Sequence, residues 1–143
     1  MSKIFYLAIV SISLFVACQD KSKRNLQPEL AGCDSATVMY YYTPGNPRFF
    51  TMAKVYDKKL ISAIGKDVNS KVINAKDDCI TQGKIYFYGE GGAVYVVYFS
   101  RAKECMTLSF IKTGEKYFTQ MSTGVKKLLD RWQKTAREPQ TIH

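Results

Sequence analysis

The chain has 143 residues, the length of one ordinary domain, and 46% of them are hydrophobic, which excludes an intrinsically disordered protein. Lysine and arginine number 21 against 12 aspartate and glutamate residues, so the formal net charge is +9. Such a balance favours association with anionic surfaces, among them phospholipid, acidic glycan and nucleic acid, and does not bear on the fold.

The N-terminus predicts export from the cytoplasm. Lys3 precedes an apolar run from Ile4 to Ala17, which is too short to span a bilayer as a mature helix and fits the core of a signal peptide. The run ends in the letters FVAC, of which the last is Cys18. An ordinary secretory signal with a chance cysteine, or a short membrane anchor, is the alternative interpretation.

The FVAC stretch resembles the lipobox of bacterial lipoproteins. The resemblance covers residues 1–18 and implies cleavage before Cys18 and acylation of that cysteine, which would hold the protein to the lipid membrane of the cell envelope. Gln19 stands where an aspartate marks retention in the inner membrane of many enteric bacteria. The resemblance therefore favours the outer membrane, with the protein facing the periplasm.

These features predict four segments. Residues 1–17 are the signal peptide, and residues 18–32 are the lipidated cysteine with a polar, basic stretch typical of a flexible tether. Residues 33–137 form a single globular domain, and residues 138–143 form a tail.

The first half of the domain predicts a hairpin and a helix. The β-forming runs ATVMYYY and RFFTMAKVY flank the turn letters TPGNP. Asp57 is placed to cap a short helix, DKKLISAIGKDVN, whose apolar residues share one face. Val72 and Ile73 predict a short edge strand.

The second half predicts a three-stranded meander. KIYFY and AVYVVYFS flank GEGG, and Glu90-Gly91 suits a two-residue hairpin turn that sets Ile85 opposite Val96 and Tyr86 opposite Tyr95. CMTLSFIK then returns as the third strand. In this register the core face carries Ile85, Phe87, Val94, Val96, Tyr98, Leu108 and Phe110. The opposite face carries Lys84, Tyr86, Tyr88, Tyr95, Val97, Thr107 and Ser109.

The C-terminal stretch STGVKKLLDRWQKTARE predicts an amphipathic helix with Ser122 as its N-cap and Trp132 on its apolar stripe. KYFTQM, just before it, is a candidate further strand. The predicted fold class is α+β: an antiparallel sheet of about five strands (hairpin, short helix, three-stranded meander) with the C-terminal helix packed on one face.

Three cysteines remain besides Cys18. An exported protein meets oxidising conditions. In the predicted meander Cys79 and Cys105 lie near the same end of the central strand, so we predict a disulfide between them, with Cys33 left over. Three reduced, buried thiols are the alternative.

Side chains that most catalytic sites require are scarce. His143, the last residue, is the single histidine, and the cysteines form no Cys-x-x-Cys pair. Asp77 and Asp78 are adjacent on a loop and are interpreted as solvated turn residues rather than an acid–base pair. We therefore predict no catalytic residue, no metal and no cofactor, and a protein that is not an enzyme.

Surface recognition is the remaining hypothesis. Tyr86, Tyr88 and Tyr95 are the candidate binding face, for an envelope protein, an acidic glycan or an anionic lipid, with nucleic acid not among the expected partners. The alternative is that these tyrosines only cover the sheet, since each cross-strand pair stabilises it by about 0.2–1 kcal/mol. A second functional hypothesis is a small-ligand carrier, with a pocket between sheet and helices bounded by Trp132.

Lipidation is directly testable. Metabolic labelling with a fatty-acid analogue should mark the wild-type protein and leave the Cys18→Ser variant unlabelled, because the acylated thiol and amine both belong to that residue. Equal labelling of the two proteins would contradict the lipobox interpretation.

Overall fold

The computed structural model describes residues 27–75 and 79–140. The predicted signal peptide, Cys18, the Asp77-Asp78 pair and His143 lie outside the described residues. The described chain forms a seven-stranded antiparallel sheet, ordered β2-β1-β4-β5-β6-β7-β3, and two helices. The elements are β1 (Ser35–Thr43), β2 (Asn46–Val55), α1 (Lys58–Val68), β3 (Val72–Ile73), β4 (Gly83–Tyr88), β5 (Val94–Ser100), β6 (Thr107–Lys112), β7 (Glu115–Gln120) and α2 (Thr123–Gln133).

The predicted α+β class is confirmed, and the predicted count of about five strands is corrected to seven. The two additional strands are the two candidate strands that lie outside the predicted hairpin and meander. KYFTQM contributes to β7, which pairs with β6, and the short β3 pairs with β7 at the far edge of the sheet. Antiparallel pairing of β1 with β4 joins the N-terminal hairpin to the meander.

Both helices begin at the predicted caps. The Asp57 carboxylate accepts hydrogen bonds from the backbone N–H groups of Lys59 and Leu60 at the start of α1. The Ser122 hydroxyl accepts the N–H of Val125 at 3.2 Å at the start of α2. Each cap satisfies donors that the first helical turn leaves unpaired.

One face of the sheet packs against both helices, not against the C-terminal helix alone, and we call it the helix face. Its core joins alternate residues of five strands to the apolar sides of α1 and α2. The strand and helix residues of this core are Ala36, Val38, Tyr40, Ala53, Val55, Ile61, Ile64, Val68, Ile85, Phe87, Val97, Phe99, Leu108, Phe110, Val125, Leu129 and Trp132.

The observed register of the β4–β5 hairpin differs from the predicted register by one residue. Ile85 pairs with Val97, and Tyr86 pairs with Val96 rather than with Tyr95. Because side chains alternate between the two faces of a strand, a slip of one residue moves every β5 side chain to the other face.

The cause of the slip is the turn. The Gly89 N–H donates to the Ala93 carbonyl at 2.9 Å, so the loop contains three residues, Glu90–Gly92, instead of two. Gly91 and Gly92 both adopt positive φ, 66° and 79°, a conformation that glycine reaches without steric cost and that a strand residue does not use.

The shifted register exchanges predicted core and surface positions on β5. Val97 and Phe99 are buried in the core, whereas Val94, Val96 and Tyr98, predicted as core, lie on the face away from the helices. On β6, Leu108 accordingly pairs with Phe99 rather than lying beside Tyr98.

Part of the segment assigned to the tether contacts the domain. Leu30 is only 4% exposed and belongs to the core cluster. The Gln27 side-chain amide donates to the Ser70 carbonyl at 3.2 Å. Residues 27–32 therefore extend the packed structure ahead of Cys33.

The predicted Cys79–Cys105 disulfide is confirmed, with a Cα–Cα distance of 5.4 Å. It connects the segment before β4 to the segment before β6. Cys33 is a buried free thiol, and burial raises its pKa.

The two faces predict different mutational costs. Phe87→Ala should lower the free energy of unfolding by about 3–5 kcal/mol, because it removes a fully buried ring and leaves a cavity under the helices. Tyr86→Ser on the other face should cost about 1 kcal/mol, the scale of a lost cross-strand contact. Urea unfolding of both variants measures the difference, and equal costs would show that Tyr86 is as buried as Phe87.

Removing the disulfide should also be measurable. Changing Cys79 and Cys105 together to Ala should cost about 3 kcal/mol, because the cross-link spans a sequence separation of 26 and restricts the unfolded chain. Thermal unfolding of the wild type with and without a reductant gives an independent value, and a stability unaffected by both treatments would contradict the assignment.

Candidate binding face

The side of the sheet opposite the helices is the candidate site, and we call it the outer face. One row of directly paired side chains crosses all seven strands on this face. From one edge of the sheet to the other it consists of Met52, Met39, Lys84, Tyr98, Ser109, Phe118 and Ile73. Both described helices pack on the opposite side, so none of the helices in residues 27–75 and 79–140 lies above this row.

The structure brings together two of the three predicted site tyrosines. Tyr86 and Tyr88 lie on the outer face, at alternate positions of β4. Tyr95 pairs with Phe87 and packs partly buried against the core, so it lies on the helix face and is separated from the other two by the sheet. The slipped register is the physical reason.

Residues that the sequence interpretation missed complete the aromatic part of the outer face. Tyr98 was assigned to the core, and Phe118 to a strand without a defined register. Tyr41, on β1, pairs with Phe50 of β2 on the same face. The consecutive glycines 91 and 92 were the signal that could have revealed Tyr98, since they permit the three-residue loop.

Lys84 lies over an aromatic ring. Its ammonium is 4.9 Å from the centroid of the Tyr86 ring, a cation–π distance. A side-chain hydrogen bond with Tyr86 raises the pKa of Lys84 and outweighs the opposite effect of burial. Lys84 therefore stays protonated at neutral pH while its stem covers apolar surface.

Lys116 makes a second contact of this kind on the other half of the face. Its ammonium is 5.4 Å from the Tyr98 ring centroid and 5.3 Å from that of Phe118. It also lies 3.5 Å from the Thr81 hydroxyl. Burial lowers the pKa of Lys116, which means that its charge is incompletely hydrated.

The charges of the outer face are of one sign. Its strand positions carry Lys54, Lys84 and Lys116, and none of the outer-face positions in the described strands is an aspartate or glutamate. The surface is thus aromatic and cationic, with hydroxyl groups from serine, threonine and tyrosine between the charges.

A hollow of about 180 Å³ opens at the Tyr88 end of the outer face. Tyr88 and Tyr56 border it, and they are 38% and 71% exposed. The Tyr88 hydroxyl donates to the Thr37 hydroxyl oxygen at 3.3 Å. Ser35, Ala36 and Lys54 complete the lining.

Two larger cavities lie away from this hollow. A cleft of about 550 Å³ opens where β5 and β6 diverge, beyond the pairing of Tyr98 with Ser109, and residues 27–29 border it. A second cavity, of about 520 Å³, lies beside α1 and the start of the described chain. Trp132 lines neither of them.

Residues 27–75 and 79–140 contain neither a metal-ligand cluster nor a membrane-spanning helix. No cluster of three or more histidine, cysteine, aspartate or glutamate side chains there could hold a metal ion. No helix in the same residues combines the length and the apolar character needed to cross a bilayer.

Comparison with known proteins adds no relative. No family model, no curated protein and no solved structure matches this chain.

Proposed function

We propose that the protein is a non-catalytic lipoprotein of the cell envelope that recognises a partner through the outer face of its sheet. The observation that carries the proposal is the composition of that face: a seven-strand row in which five of the seven side chains are apolar or aromatic, three lysines, no carboxylate at the strand positions, and no described helix above it.

Recognition explains this face better than sheet cover does. If these side chains only covered the sheet, they would shield its apolar surface from water. Val94 and Ile111, at the edge of the cleft next to Val96 and Tyr98, are instead 51% and 58% exposed. Contiguous exposed apolar surface in a folded domain marks interaction sites. Lysines that already lie against the rings add electrostatic selectivity without adding flexible charges.

The predicted lipid anchor would place the domain close to a partner in the envelope. The described chain begins at Gln27, nine residues after Cys18. A fully extended segment of that length reaches about 30 Å, so acylation of Cys18 would keep the domain within about one domain diameter of the membrane. A partner in the envelope would then be met at high effective concentration.

The carrier hypothesis lacks a matching cavity. Ile64 and Leu129, where the helices meet the sheet, are fully buried in a packed core. Trp132 lines neither the cleft of about 550 Å³ nor the cavity of about 520 Å³, so neither matches a pocket bounded by Trp132.

Site-specific photocrosslinking in intact cells tests the proposal. A diazirine amino acid at position 86, on the outer face, should give a discrete cross-linked product. The same group at position 127, exposed on α2 on the opposite side of the molecule, should not. The absence of a product from position 86 in a well-expressed protein, or the same product from both positions, would contradict recognition by the outer face.

Charge variants sharpen this test. Lys84→Gln with Lys116→Gln should reduce the yield from position 86 severalfold, because both ammonium groups lie on the face. The matched control changes Lys127 and Arg131, exposed on α2, to Gln and removes the same charge. An equal reduction by the control would assign the effect to net charge instead of to the face.

A further inference from the structure

We propose that the partner of the outer face is an acidic glycan, a carbohydrate chain bearing carboxylate or phosphate groups, and that the hollow bordered by Tyr56 and Tyr88 holds one of its sugar rings. This inference rests on the proposed function and specifies the ligand class of the same face.

The lining of the hollow matches a sugar in chemistry. Sugar rings present flat C–H faces, which pack on aromatic rings, and hydroxyl groups at their rims, which need hydrogen-bond partners. The hollow offers the rings of Tyr56 and Tyr88 together with two hydroxyl groups. The Ser35 hydroxyl donates to Asp34 and can accept from a sugar, and the Thr37 hydroxyl accepts from Tyr88 and can donate to one. Apolar walls with a few placed polar groups are the usual composition of a small-molecule site.

Lys54 supplies the selectivity for an acidic sugar. It lines the same hollow and pairs across the sheet with Thr37, which pairs in turn with Tyr86. A carboxylate or phosphate on the bound sugar would meet the Lys54 ammonium. The lining residues themselves carry no carboxylate, and the Asp34 carboxylate beside them accepts a hydrogen bond from the Ser35 hydroxyl.

The pattern continues beyond the hollow. Tyr86 with Lys84, and then Tyr98 with Lys116, repeat the combination of a ring and a cation across the sheet. Neighbouring strands lie about 4.8 Å apart, so the three lysines are spaced by roughly 10–15 Å along this path. A chain of several acidic sugars can therefore contact successive ring–cation pairs, whereas a single small anion would use one.

A membrane surface fits less well. Surfaces that bind bilayers insert protruding apolar side chains below the headgroups. The hollow is instead concave and bears hydroxyls, and the protruding Phe49 belongs to the β1–β2 end of the sheet, where it lines a different depression. The charge and shape of the outer face therefore favour a negatively charged glycan, whose sugar rings can pack on the tyrosines, over a membrane surface.

Calorimetric titration of the full-length protein in detergent tests this inference. A galacturonate oligomer should bind, with an affinity that falls as salt is raised, and a neutral glucose oligomer of equal length should not. Polyglutamate provides charge without sugar rings, and mixed micelles of the same detergent with phosphatidylglycerol provide the anionic lipid surface. Binding of polyglutamate or of these micelles as tight as that of the galacturonate oligomer would overturn the assignment to a glycan.

Variants locate the site. Lys54→Gln and Tyr88→Ser should each weaken galacturonate binding about tenfold, the factor expected for one lost charge-assisted contact or its equivalent in ring packing. Tyr88→Phe keeps the ring and should bind nearly as well as the wild type. Lys127→Gln, on α2, is the matched charge control and should have no effect. Unchanged affinity in folded Lys54→Gln and Tyr88→Ser proteins would overturn the placement in the hollow.

The two proposals can fail separately. A photocrosslink from position 86 to a protein, combined with no galacturonate binding, would leave outer-face recognition standing and reject the glycan. Absence of a crosslink from position 86 would reject the recognition proposal itself.

Discussion

The register of the β4–β5 hairpin is the constraint on which the rest of the structure depends. Gly91 and Gly92 take positive φ and close a three-residue loop, so Ile85 pairs with Val97. Side chains alternate along a strand, and this pairing therefore sends Val97 into the core and Tyr98 to the outer face. A two-residue loop would shift the pairing by one residue. Val96 would then pair with Ile85 in place of Val97, and Tyr98 would pair with Gly83 in place of Phe99, which would remove Tyr98 from the candidate site.

The helix face holds α2 by polar contacts as well as by apolar packing. The Tyr40 hydroxyl donates to the Leu129 carbonyl at 2.7 Å, within the core. The Arg101 guanidinium lies over the rings of Tyr40 and Phe99 and donates to Asp130 at 2.8 Å. Burial alone would raise the pKa of Asp130, but hydrogen bonding to Lys126 and the charge of Arg101 outweigh it and lower that pKa. These contacts hold α2 on one side of the sheet, and the apolar packing of Ile61 and Ile64 holds α1 on the same side.

The commitment of both helices to one face makes the other face available for recognition. Sheets with one solvated face normally place polar residues there, whereas this outer face carries Tyr86, Tyr98 and Phe118 with lysines lying against them. The lysine stems shield part of the aromatic area while their charges remain accessible at the surface. A face of this kind can stay soluble in isolation and still offer ring surface and positive charge to a polyanionic partner, which is the basis of both proposals.

The sequence by itself determined the elements, because their signals are local. Asp57 and Ser122 mark the helix starts, alternation marks the strands, and the proximity of Cys79 and Cys105 in the predicted meander indicated the disulfide. The tertiary structure decided which side of the sheet each side chain occupies. That choice depended on one extra residue in the Glu90–Gly92 turn, and local propensity hardly distinguishes a two-residue loop from a three-residue one. The pairing of Tyr86 with Val96, and with it the composition of the outer face, is settled only when the whole sheet packs against both helices.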